Sequence, residues 1–240
     1  MLAHLERTLP RGEHWRYEPK LDGFRGLLWH GNGATVQLLS RNVKDLSAWF
    51  PEVVQAGNAL PSNTLLDGEI VIADESGCSD FGALQARLGT ARRDVARVAS
   101  QRPAVLLCFD LLTLAGEDLT SLPLSDRRRR LEHLVGGLHP CLQLVIQTDD
   151  RQIAQEWLTI LTSVEGVVAK RADGHYVAGR QRSWIKVKRQ RTIDCVVIGI
   201  AGDEHSPKLV LALTHGDGEL HHLGRLEGRL YFLSDAMGAA

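Results

Sequence analysis

Some segments of the chain repeat hydrophobic residues at the strand period of two and others at the helical period of about 3.6, and the mixture predicts an α+β fold. Strand-forming residues at 24–30 and 34–40 flank Gly31-Asn32-Gly33, a turn that tolerates positive φ, so this segment predicts a β-hairpin. Apolar runs at 64–73 and 105–114 predict buried strands. Further strands are predicted at residues 165–170, 183–188, 195–200, 208–214 and 220–223, the last three forming a meander. Hairpins of this kind favour mostly antiparallel sheets.

Helical spacing of apolar residues predicts four helices between these strands. The expected N-terminal caps are Asp45 or Ser47 for the first, Ser79 for the second and Ser125 for the third, and the fourth covers residues 152–161. The polar stretch 91–103 predicts a surface loop or a frayed helix. The arginine run 127–130 is typical of a solvated helix face rather than a nucleic-acid patch.

Composition narrows the class of protein only slightly. The 240 residues are 44% hydrophobic and 24% charged with a formal net charge of −1, which is ordinary for a globular protein. The four cysteines form no CxxC pair, so a cysteine-only zinc ribbon is excluded and no disulfide framework is indicated. No apolar run is long enough to span a bilayer and the first residues do not resemble a signal peptide. We therefore expect a cytoplasmic protein with no membrane partner.

Charged residues interrupt five otherwise apolar, strand-like segments. They are KLDGFR from residue 20, LDGEIV from residue 66, FDLL from residue 109, EGVVAK from residue 165 and WIKVK from residue 184. A buried charge is costly without a partner, so each should meet a counter-charge, a metal ion or a ligand. Carboxylates and lysines recurring in several strands indicate one shared pocket that holds a phosphate and a divalent ion.

Lys186 and Lys188 are two residues apart on one predicted strand, so both side chains point to the same face. Two adjacent ammonium groups repel each other unless an anion lies between them, and a nucleotide phosphate would serve. Taken alone, the same pair is equally compatible with a solvent-facing edge strand protected against aggregation. The four companion segments favour the phosphate site.

In order and spacing, these segments together with SRN at residues 40–42 resemble the motifs of ATP-dependent DNA ligases. That superfamily also contains RNA ligases and mRNA capping enzymes. The resemblance covers roughly residues 15–190. It implies a nucleotidyltransferase (adenylation) domain of mostly antiparallel sheets flanked by helices at residues 1–190, followed by an incomplete OB-fold-like β meander at residues 191–240.

By this resemblance Lys20 is the nucleophile, which attacks ATP and carries AMP as a covalent phosphoramidate. The attacking amine must be neutral, and neighbouring cations and partial burial favour that form. Asp22 is expected near the ribose or the metal ion, and Gly23 would let the backbone approach the nucleotide. Arg25 would contact the nucleotide and later the nicked strand.

The resemblance assigns further roles around the nucleotide. Glu69 would bind a ribose hydroxyl, Phe109 would stack on adenine, and the neighbourhood of Glu18 would read the adenine edge. Glu165 would direct Mg²⁺, Arg41 would meet ribose or a DNA phosphate, and Arg180 and Lys186 would grip the α-phosphate with Lys188 beside them. Lys170 is expected either at a phosphate or at a solvated strand end. Asp67 is interpreted as a structural carboxylate.

The implied function is ATP-dependent DNA ligation in repair or recombination, with nicked double-stranded DNA as partner. A basic tract between residues 170 and 191 could neutralise DNA phosphates, although part of it serves ATP. An RNA ligase or a capping-type nucleotidyltransferase remains an alternative. A catalytically weak, truncated paralogue that only binds nicks is a second one.

The segment after residue 192 departs from the family pattern. It begins like an oligonucleotide-binding barrel, stops after about three strands, and its tail resembles no terminal basic motif. Three strands cannot close a barrel, so we expect open edges that a partner protein would cover. Slow self-adenylation with better preserved sealing of a pre-adenylated nick is the corresponding hypothesis.

Overall fold

The computed structural model describes residues 1–33, 35–160, 164–189, 194–203, 207–214 and 218–227. The chain divides into two compact units, Met1–Arg189 and Gln190–Ala240. Ala34, in the predicted hairpin, and Leu161, at the end of the predicted fourth helix, lie outside the described residues. Among the described helices, none has the length and apolar character needed to cross a membrane.

The first unit alternates strands and helices, and its elements follow in chain order. They are β1 (Leu2–Glu6), β2 (Trp15–Lys20), β3 (Phe24–His30), β4 (Val36–Ser40), α1 (Pro51–Gly57), β5 (Thr64–Ile72), α2 (Phe81–Gly89), α3 (Arg92–Gln101), β6 (Ala104–Leu114), β7 (Glu117–Asp118), α4 (Leu124–Val135), β8 (Leu142–Leu144), α5 (Arg151–Thr159), β9 (Gly166–Arg171) and β10 (Arg180–Lys188). The predicted α+β class is confirmed.

Two sheets organise this unit. The first sheet has the strand order β1-β10-β9-β2, and the second has the order β4-β3-β5-β6-β7 with β8 beside β6. Most neighbours are antiparallel, as predicted, but β1 runs parallel to β10 and β8 runs parallel to β6. Strands β1, β2, β7 and β8 were not predicted, because each is short or mixes polar and apolar residues without a clear period of two.

The second sheet packs one face against helices. Alternate residues such as Leu28, Leu66, Ile70 and Leu106 are fully buried in a core that also contains Leu131 of α4. Alternation places side chains i and i+2 on one face, so the intervening residues of these strands point to the other face. That other face is free to carry polar groups.

The first sheet buries its outer face in a second, smaller core. Tyr17, Val167, Ala169 and Val187 pack there with Ala154 of α5. The remaining residues of β2, β9 and β10 therefore face the opposite way. The two sheets thus each offer one polar face, and the site described below lies where those faces meet.

Strand β6 contains a bulge at Phe109. Asp67 pairs with Asp110 and Gly68 pairs with Cys108, so Phe109 is the extra residue between two consecutive partners on β5. A bulge twists a strand and re-aims one side chain. This bulge lets Phe109 and its neighbours leave the simple inside–outside alternation.

Asp110 forms a completely buried ion pair with Arg127 of α4. The Nε–Oδ1 and Nη2–Oδ2 distances are 2.7 and 2.9 Å, and both side chains have no exposed area. Arg127 Nη1 also donates to the carbonyl oxygens of Leu122 and Gly174, at 2.6 and 3.1 Å. The bidentate geometry and the extra acceptors compensate the desolvation of both charges. One arginine thus connects β6, α4 and the segment between β9 and β10.

Several sequence predictions about helix ends are wrong. Helix α1 begins at Pro51 without a side-chain cap, whereas Asp45 or Ser47 had been expected to cap it. The cap of α2 is Asp80, whose carboxylate accepts from Ala83 N at 2.8 Å, rather than Ser79. Ser125 lies inside α4, which starts at Leu124. Proline at the first turn can replace a cap because its missing N–H removes an unsatisfied donor.

Two polar segments are more ordered than their composition indicates. Residues 91–103 contain the helix α3, which buries Val95 and Ala99. The run 127–130 is not a purely solvated face, because Arg127 and Arg128 are buried. Arg128 donates from Nη2 to the Val145 carbonyl at 2.8 Å. Tertiary contacts alone distinguish these two buried arginines from their exposed neighbours. The pattern of the sequence therefore could not predict which arginines of the run are buried.

The second unit contains three described strands in the order β11-β12-β13, with bounds Val196–Ala201, Lys208–Thr214 and Leu220–Glu227. They form the antiparallel meander that was predicted. Large apolar side chains on it are about half exposed, for example Val197 at 51% and Ile200 at 63%. Whether this meander belongs to an OB-fold-like barrel remains a prediction.

Removal of the buried guanidinium should destabilise the first unit strongly. Arg127→Met leaves the Asp110 carboxylate buried without its partner, and we expect a loss of about 3–5 kcal/mol in the free energy of unfolding. Urea titration followed by circular dichroism measures this change. The control Arg129→Met removes an exposed side chain paired with Asp126 and should change stability by less than about 0.5 kcal/mol. Equal effects of both substitutions would contradict the assignment.

Candidate active site

One face of the first sheet collects the charged residues of three strands. Alternation along β2, β9 and β10 places on this face Glu18, Lys20, Val168, Lys170, Trp184, Lys186 and Lys188. The opposite parity supplies the apolar core beneath α5. The alternation of side chains along each strand therefore separates the polar residues from the apolar ones onto opposite faces of the sheet, although the strands differ in direction and length.

Glu165 bridges two of the lysines. Its Oε2 accepts a hydrogen bond from Lys20 Nζ, and its Oε1 lies 2.6 Å from Lys188 Nζ. The backbone supports this arrangement, since Glu165 N donates to the Lys20 carbonyl at 2.9 Å and Arg189 N donates to the Glu165 carbonyl at 3.0 Å. Partial burial alone would raise the pKa of Glu165, but the hydrogen bonds and charges of Lys188 and Lys20 together outweigh it and hold that pKa below its usual value.

Gly166 explains why the three strands can meet at Glu165. It pairs with Lys20 of β2 on one side and with Lys188 of β10 on the other. A Cβ atom built at Gly166 would lie 2.1 Å from the Val187 carbonyl oxygen. Any side chain there would push β10 away from β9 and separate Lys188 from Glu165.

Positive charge exceeds negative charge at this end of the first sheet. Burial lowers the pKa of Lys186, and the nearby cations Lys20, Lys188 and Arg180 lower it further, while Glu165 alone among the named neighbours raises it. Lys186 is therefore repelled by three cations. A bound anion would relieve that repulsion, and a phosphate is the anion that lysines commonly hold as point charges.

A pocket opens beside these lysines, between the two sheets. It encloses about 650 Å³ including its open mouth. Its lining comprises Leu2, Ala3, Glu18, Pro19, Lys20, Leu21, Arg25, Glu69, Phe109, Val145, Val168, Lys170, Trp184 and Lys186. Apolar walls with a few converging charges are typical of a nucleotide-sized ligand site.

Lys170 is buried in the floor of this pocket, with 1% of its area exposed. Its Nζ lies 2.6 Å from Glu18 Oε2 and 4.2 Å from the ring centroids of both Phe109 and Trp184. Glu18 Oε1 also accepts from Gln147 Nε2 at 2.9 Å. The alternative of a solvated strand end is thus wrong for Lys170. Its ammonium group orders the two rings by cation–π attraction.

Arg25 is held in a polar cluster at the wall of the pocket. It donates from Nε and Nη2 to the Asp67 carboxylate, at 2.9 and 2.5 Å, and from Nη1 to the Met1 carbonyl at 2.5 Å. The Tyr176 hydroxyl accepts from Nη2 at 3.0 Å and donates to Asp67 Oδ2 at 2.8 Å. Burial opposes its charge, but the hydrogen-bonded Asp67 carboxylate more than compensates and raises the pKa of Arg25. As predicted, Asp67 pairs locally.

Glu69 lies opposite Arg25 in the β3–β5 ladder and faces into the pocket. Burial raises its pKa to about 7, against the opposing effects of Lys20 and Arg25. Its carboxyl group is therefore divided between the protonated and ionised forms near neutral pH. In either form it can hydrogen-bond a hydroxyl group, as donor or as acceptor.

Four predicted nucleotide contacts do not line the pocket. Asp22, Arg41, Arg180 and Lys188 are exposed. Lys188 still reaches the site through Glu165, and Arg180 reaches it only through its charge. Gly23 has a structural explanation, since a Cβ there would lie 2.4 Å from the Ile70 carbonyl oxygen.

The sequence assigned no role to Trp184, which lines the pocket, or to Tyr176 and Gln147, which contact lining residues from behind. Trp184 stacks edge to face on Phe109 with centroids 5.9 Å apart, and Tyr176 stacks on Trp184 at 6.1 Å. The signal for Trp184 was available, because it precedes Lys186 by two residues and so shares its face. Tyr176 and Gln147 lie in irregular segments, where no period predicts the direction of a side chain.

Comparison with known proteins identifies the family. A model of the ATP dependent DNA ligase domain matches residues 1–188. The chain therefore belongs to the ATP-dependent DNA ligase domain family, in agreement with the resemblance read from the motifs.

Individual relatives support the same assignment. The chain is 39% identical over 231 residues to DNA ligase C2 of Mycolicibacterium smegmatis, covering 93% of this chain and 64% of that protein. It is 38% identical over 219 residues to DNA ligase C of Mycobacterium tuberculosis, covering 87% of this chain and 60% of that protein. This chain therefore spans less than two thirds of the length of either relative.

A solved structure has the same fold. The mycobacterial DNA ligase D complexed with ATP and MES matches with a TM-score of 0.60 and 29% identity, covering 94% of this chain and 72% of that one. The predicted adenylation-domain architecture is thereby confirmed.

The titration of Glu69 should appear in the pH dependence of stability. The folded-state pKa of about 7 exceeds the unfolded value of 4.5, so this group favours folding most below pH 4.5 and disfavours it increasingly as pH rises through 7. Glu69→Gln removes the titration. Relative to this variant, the wild type should lose about 2 kcal/mol of unfolding free energy between about pH 5.5 and about pH 8. Urea titrations at both pH values measure the difference, and parallel pH profiles would contradict it.

Proposed function

We propose that this chain is the catalytic core of an ATP-dependent DNA ligase, which seals nicks through a lysyl-AMP intermediate on Lys20. The observation that carries the proposal is a lysine cluster with one bridging carboxylate beside an aromatic-walled pocket. The cluster suits a polyphosphate and the pocket suits a purine. Membership of the ATP-dependent DNA ligase domain family supports the reaction class. The chain spans 64% and 60% of the lengths of the two DNA ligase C relatives.

ATP fits this arrangement by charge and by shape. The base would stack on Phe109, with Trp184 behind it and Glu18 at the pocket floor. Stacking of this kind contributes about 1–3 kcal/mol per base. The ribose hydroxyls would meet Glu69, with Arg25 and Asp22 nearby, and the α-phosphate would lie among Lys20 and Lys186, where the unbalanced cations are.

Magnesium fits the same end of the site. Glu165 is a partly exposed carboxylate beside the nucleophile, and Mg²⁺ commonly combines one or two carboxylates with substrate phosphates and water. When bound it would supply a counter-charge for developing phosphate oxygens. The described residues contain no group of three or more His, Cys, Asp or Glu side chains able to hold an ion alone, which agrees with a shared ligand set.

The residues of the chain then act as follows. Glu165 keeps Lys20 and Lys188 together in the absence of nucleotide. Attack requires the neutral amine, so Lys20 must leave Glu165 and release a proton to the solvent, to which its side chain is partly exposed. Its Nζ then forms a bond to the α-phosphorus, while the bond from that phosphorus to the pyrophosphate oxygen breaks. Lys186 and Lys188 stabilise the negative charge on the phosphate oxygens.

Nick sealing completes the reaction in two transfers. An oxygen of the 5′-phosphate displaces Lys20 from the AMP phosphorus, and the 3′-hydroxyl then attacks the activated 5′-phosphate and releases AMP. Arg41, Arg180 and Lys188 are exposed and cationic, so they suit DNA phosphates. Action in DNA repair or recombination, in the cytoplasm, is part of this proposal. A protein covering the half-exposed apolar face of β11–β13 would be a further partner.

Covalent labelling tests the first transfer. Incubation with magnesium and ATP labelled in its α-phosphate should place up to one AMP on each chain, and Lys20→Ala and Lys20→Arg should abolish the label. The arginine variant keeps a positive charge but remains protonated, so it cannot attack. Arg129→Ala, on the exposed side of α4, is the matched control and should label like the wild type. Labelling that survives Lys20→Arg would refute the role of Lys20.

Strand chemistry tests the substrate. Four nicked duplexes, with DNA or RNA on the 3′-hydroxyl and 5′-phosphate sides, should be compared at equal concentration. A DNA ligase should close the all-DNA nick fastest. Preferential closure of the all-RNA nick would favour the RNA-ligase alternative, and AMP labelling without closure of any nick would favour the capping-type or nick-binding alternatives. A pre-adenylated DNA nick isolates the last step.

A further inference from the structure

A strained valine lies at an exposed tip beside the proposed active site. Val43 has φ of +59°, one of three positive values among the described non-glycine residues, the others being Asn63 and Ala115. It is the β-branched member of that group. β-Branched residues rarely adopt the left-handed region, because their side chains clash with the backbone there.

The conformation of Val43 is imposed by the surrounding turn. Val43 N donates to the Ser40 carbonyl at 2.8 Å, and Ser40 N donates to the Lys44 carbonyl at 2.8 Å. Lys44 N donates in addition to Ser40 Oγ at 3.0 Å. The bridge between Leu39 and Asp45 closes the base of the turn. The tip is therefore held by several hydrogen bonds, and glycine would meet its geometry without strain.

Packing within the chain does not explain why valine occupies this position. Its side chain is 69% exposed, the largest exposure among the large hydrophobic residues of the described chain. Residues 41–45 are all exposed. The hydrogen bonds of the turn hold the strained backbone, but they would hold glycine equally well, so they do not account for an exposed isopropyl group at this position.

The turn stands at the edge of the proposed nucleotide site. Ser40 pairs with Gly26 of β3, next to Arg25 in the pocket wall. The charge of Arg41 acts on the Met1 amino group, and the Met1 carbonyl accepts from Arg25. A substrate that extends beyond the pocket mouth on this side would meet the turn.

Cations flank the apolar tip. Arg41 and Lys44 lie on either side of Val43, whereas the Asp45 carboxylate is engaged by Ser47 N at 2.8 Å. A partner for this surface must offer negative charge around an apolar patch. The backbone of a DNA duplex does so, because deoxyribose carbons alternate with phosphates.

We propose that Val43 is a contact residue for nicked DNA, its isopropyl group packing on a deoxyribose while Arg41 and Lys44 face the adjacent phosphates. This inference rests on the proposed ligase function. It adds a role for an apolar residue that the motif resemblance leaves without assignment.

Two substitutions separate strain from contact. Val43→Gly removes both the strain and the isopropyl group, and Val43→Asn retains a side chain that tolerates positive φ but is polar. Both variants should melt about 2–5 °C above the wild type. Both should bind a nicked duplex about fivefold more weakly and raise the KM for sealing a pre-adenylated nick. AMP labelling of Lys20 is the internal reference and should be unchanged, since Val43 lies outside the nucleotide pocket.

Salt dependence identifies the kind of contact. The slope of log Kd against log salt should be unaltered in Val43→Gly, because no phosphate contact is lost, and should be smaller by about one in Arg41→Ala and in Lys44→Ala. Variants of Val43 that are stabilised but bind and seal the nick like the wild type would overturn the proposal and leave the ligase function standing. Failure of the wild type itself to bind and seal the nick would instead overturn the proposed function.

Discussion

The whole site depends on burying two neighbouring carboxylates, each with its own arginine. Asp67 and Asp110 are paired residues on β5 and β6, and both are completely buried. Two adjacent negative charges in a dry interior are tolerable only when bidentate cations neutralise them. Arg127 approaches one from α4, and Arg25 approaches the other from β3. In the segment between β9 and β10, the Tyr176 hydroxyl bonds to Arg25 and Asp67, and the Gly174 carbonyl accepts from Arg127. This charge network therefore connects the first sheet to the second.

With the two sheets connected, the alternation of side chains along each strand determines which residues line the pocket. Every second residue of β2, β9 and β10 points between the sheets, and these residues are largely charged. The second sheet contributes Arg25, Glu69 and Phe109 to the same space. Cations gather around Glu165, while Glu69, with a pKa raised to about 7, carries only part of a negative charge near neutral pH. The polar and apolar halves of a nucleotide would therefore find matching halves of the pocket.

Much of this arrangement could be predicted from the sequence, because it rests on periodicity. Lys20, Glu69, Phe109 and Lys186 were expected to share a pocket, and they do. What the sequence could not reveal is burial decided by distant partners. Lys170 was expected at a phosphate or in solvent, yet it lies against two rings. Arg127 was interpreted as solvated, yet its position opposite Asp110 is set by the path of α4 across β6, which no local pattern encodes.

The bulge in β6 has a further consequence for how such a protein can change over time. Phe109 and Asp110 are consecutive, and the single extra residue decides that the first lines the pocket and the second joins the buried charge network. Deleting one residue here would restore regular pairing at this point, inserting one would enlarge the bulge, and either change would displace both side chains at once. Length variation, readily accepted in the surface turns of the molecule, should therefore be absent from this strand even where substitutions are tolerated.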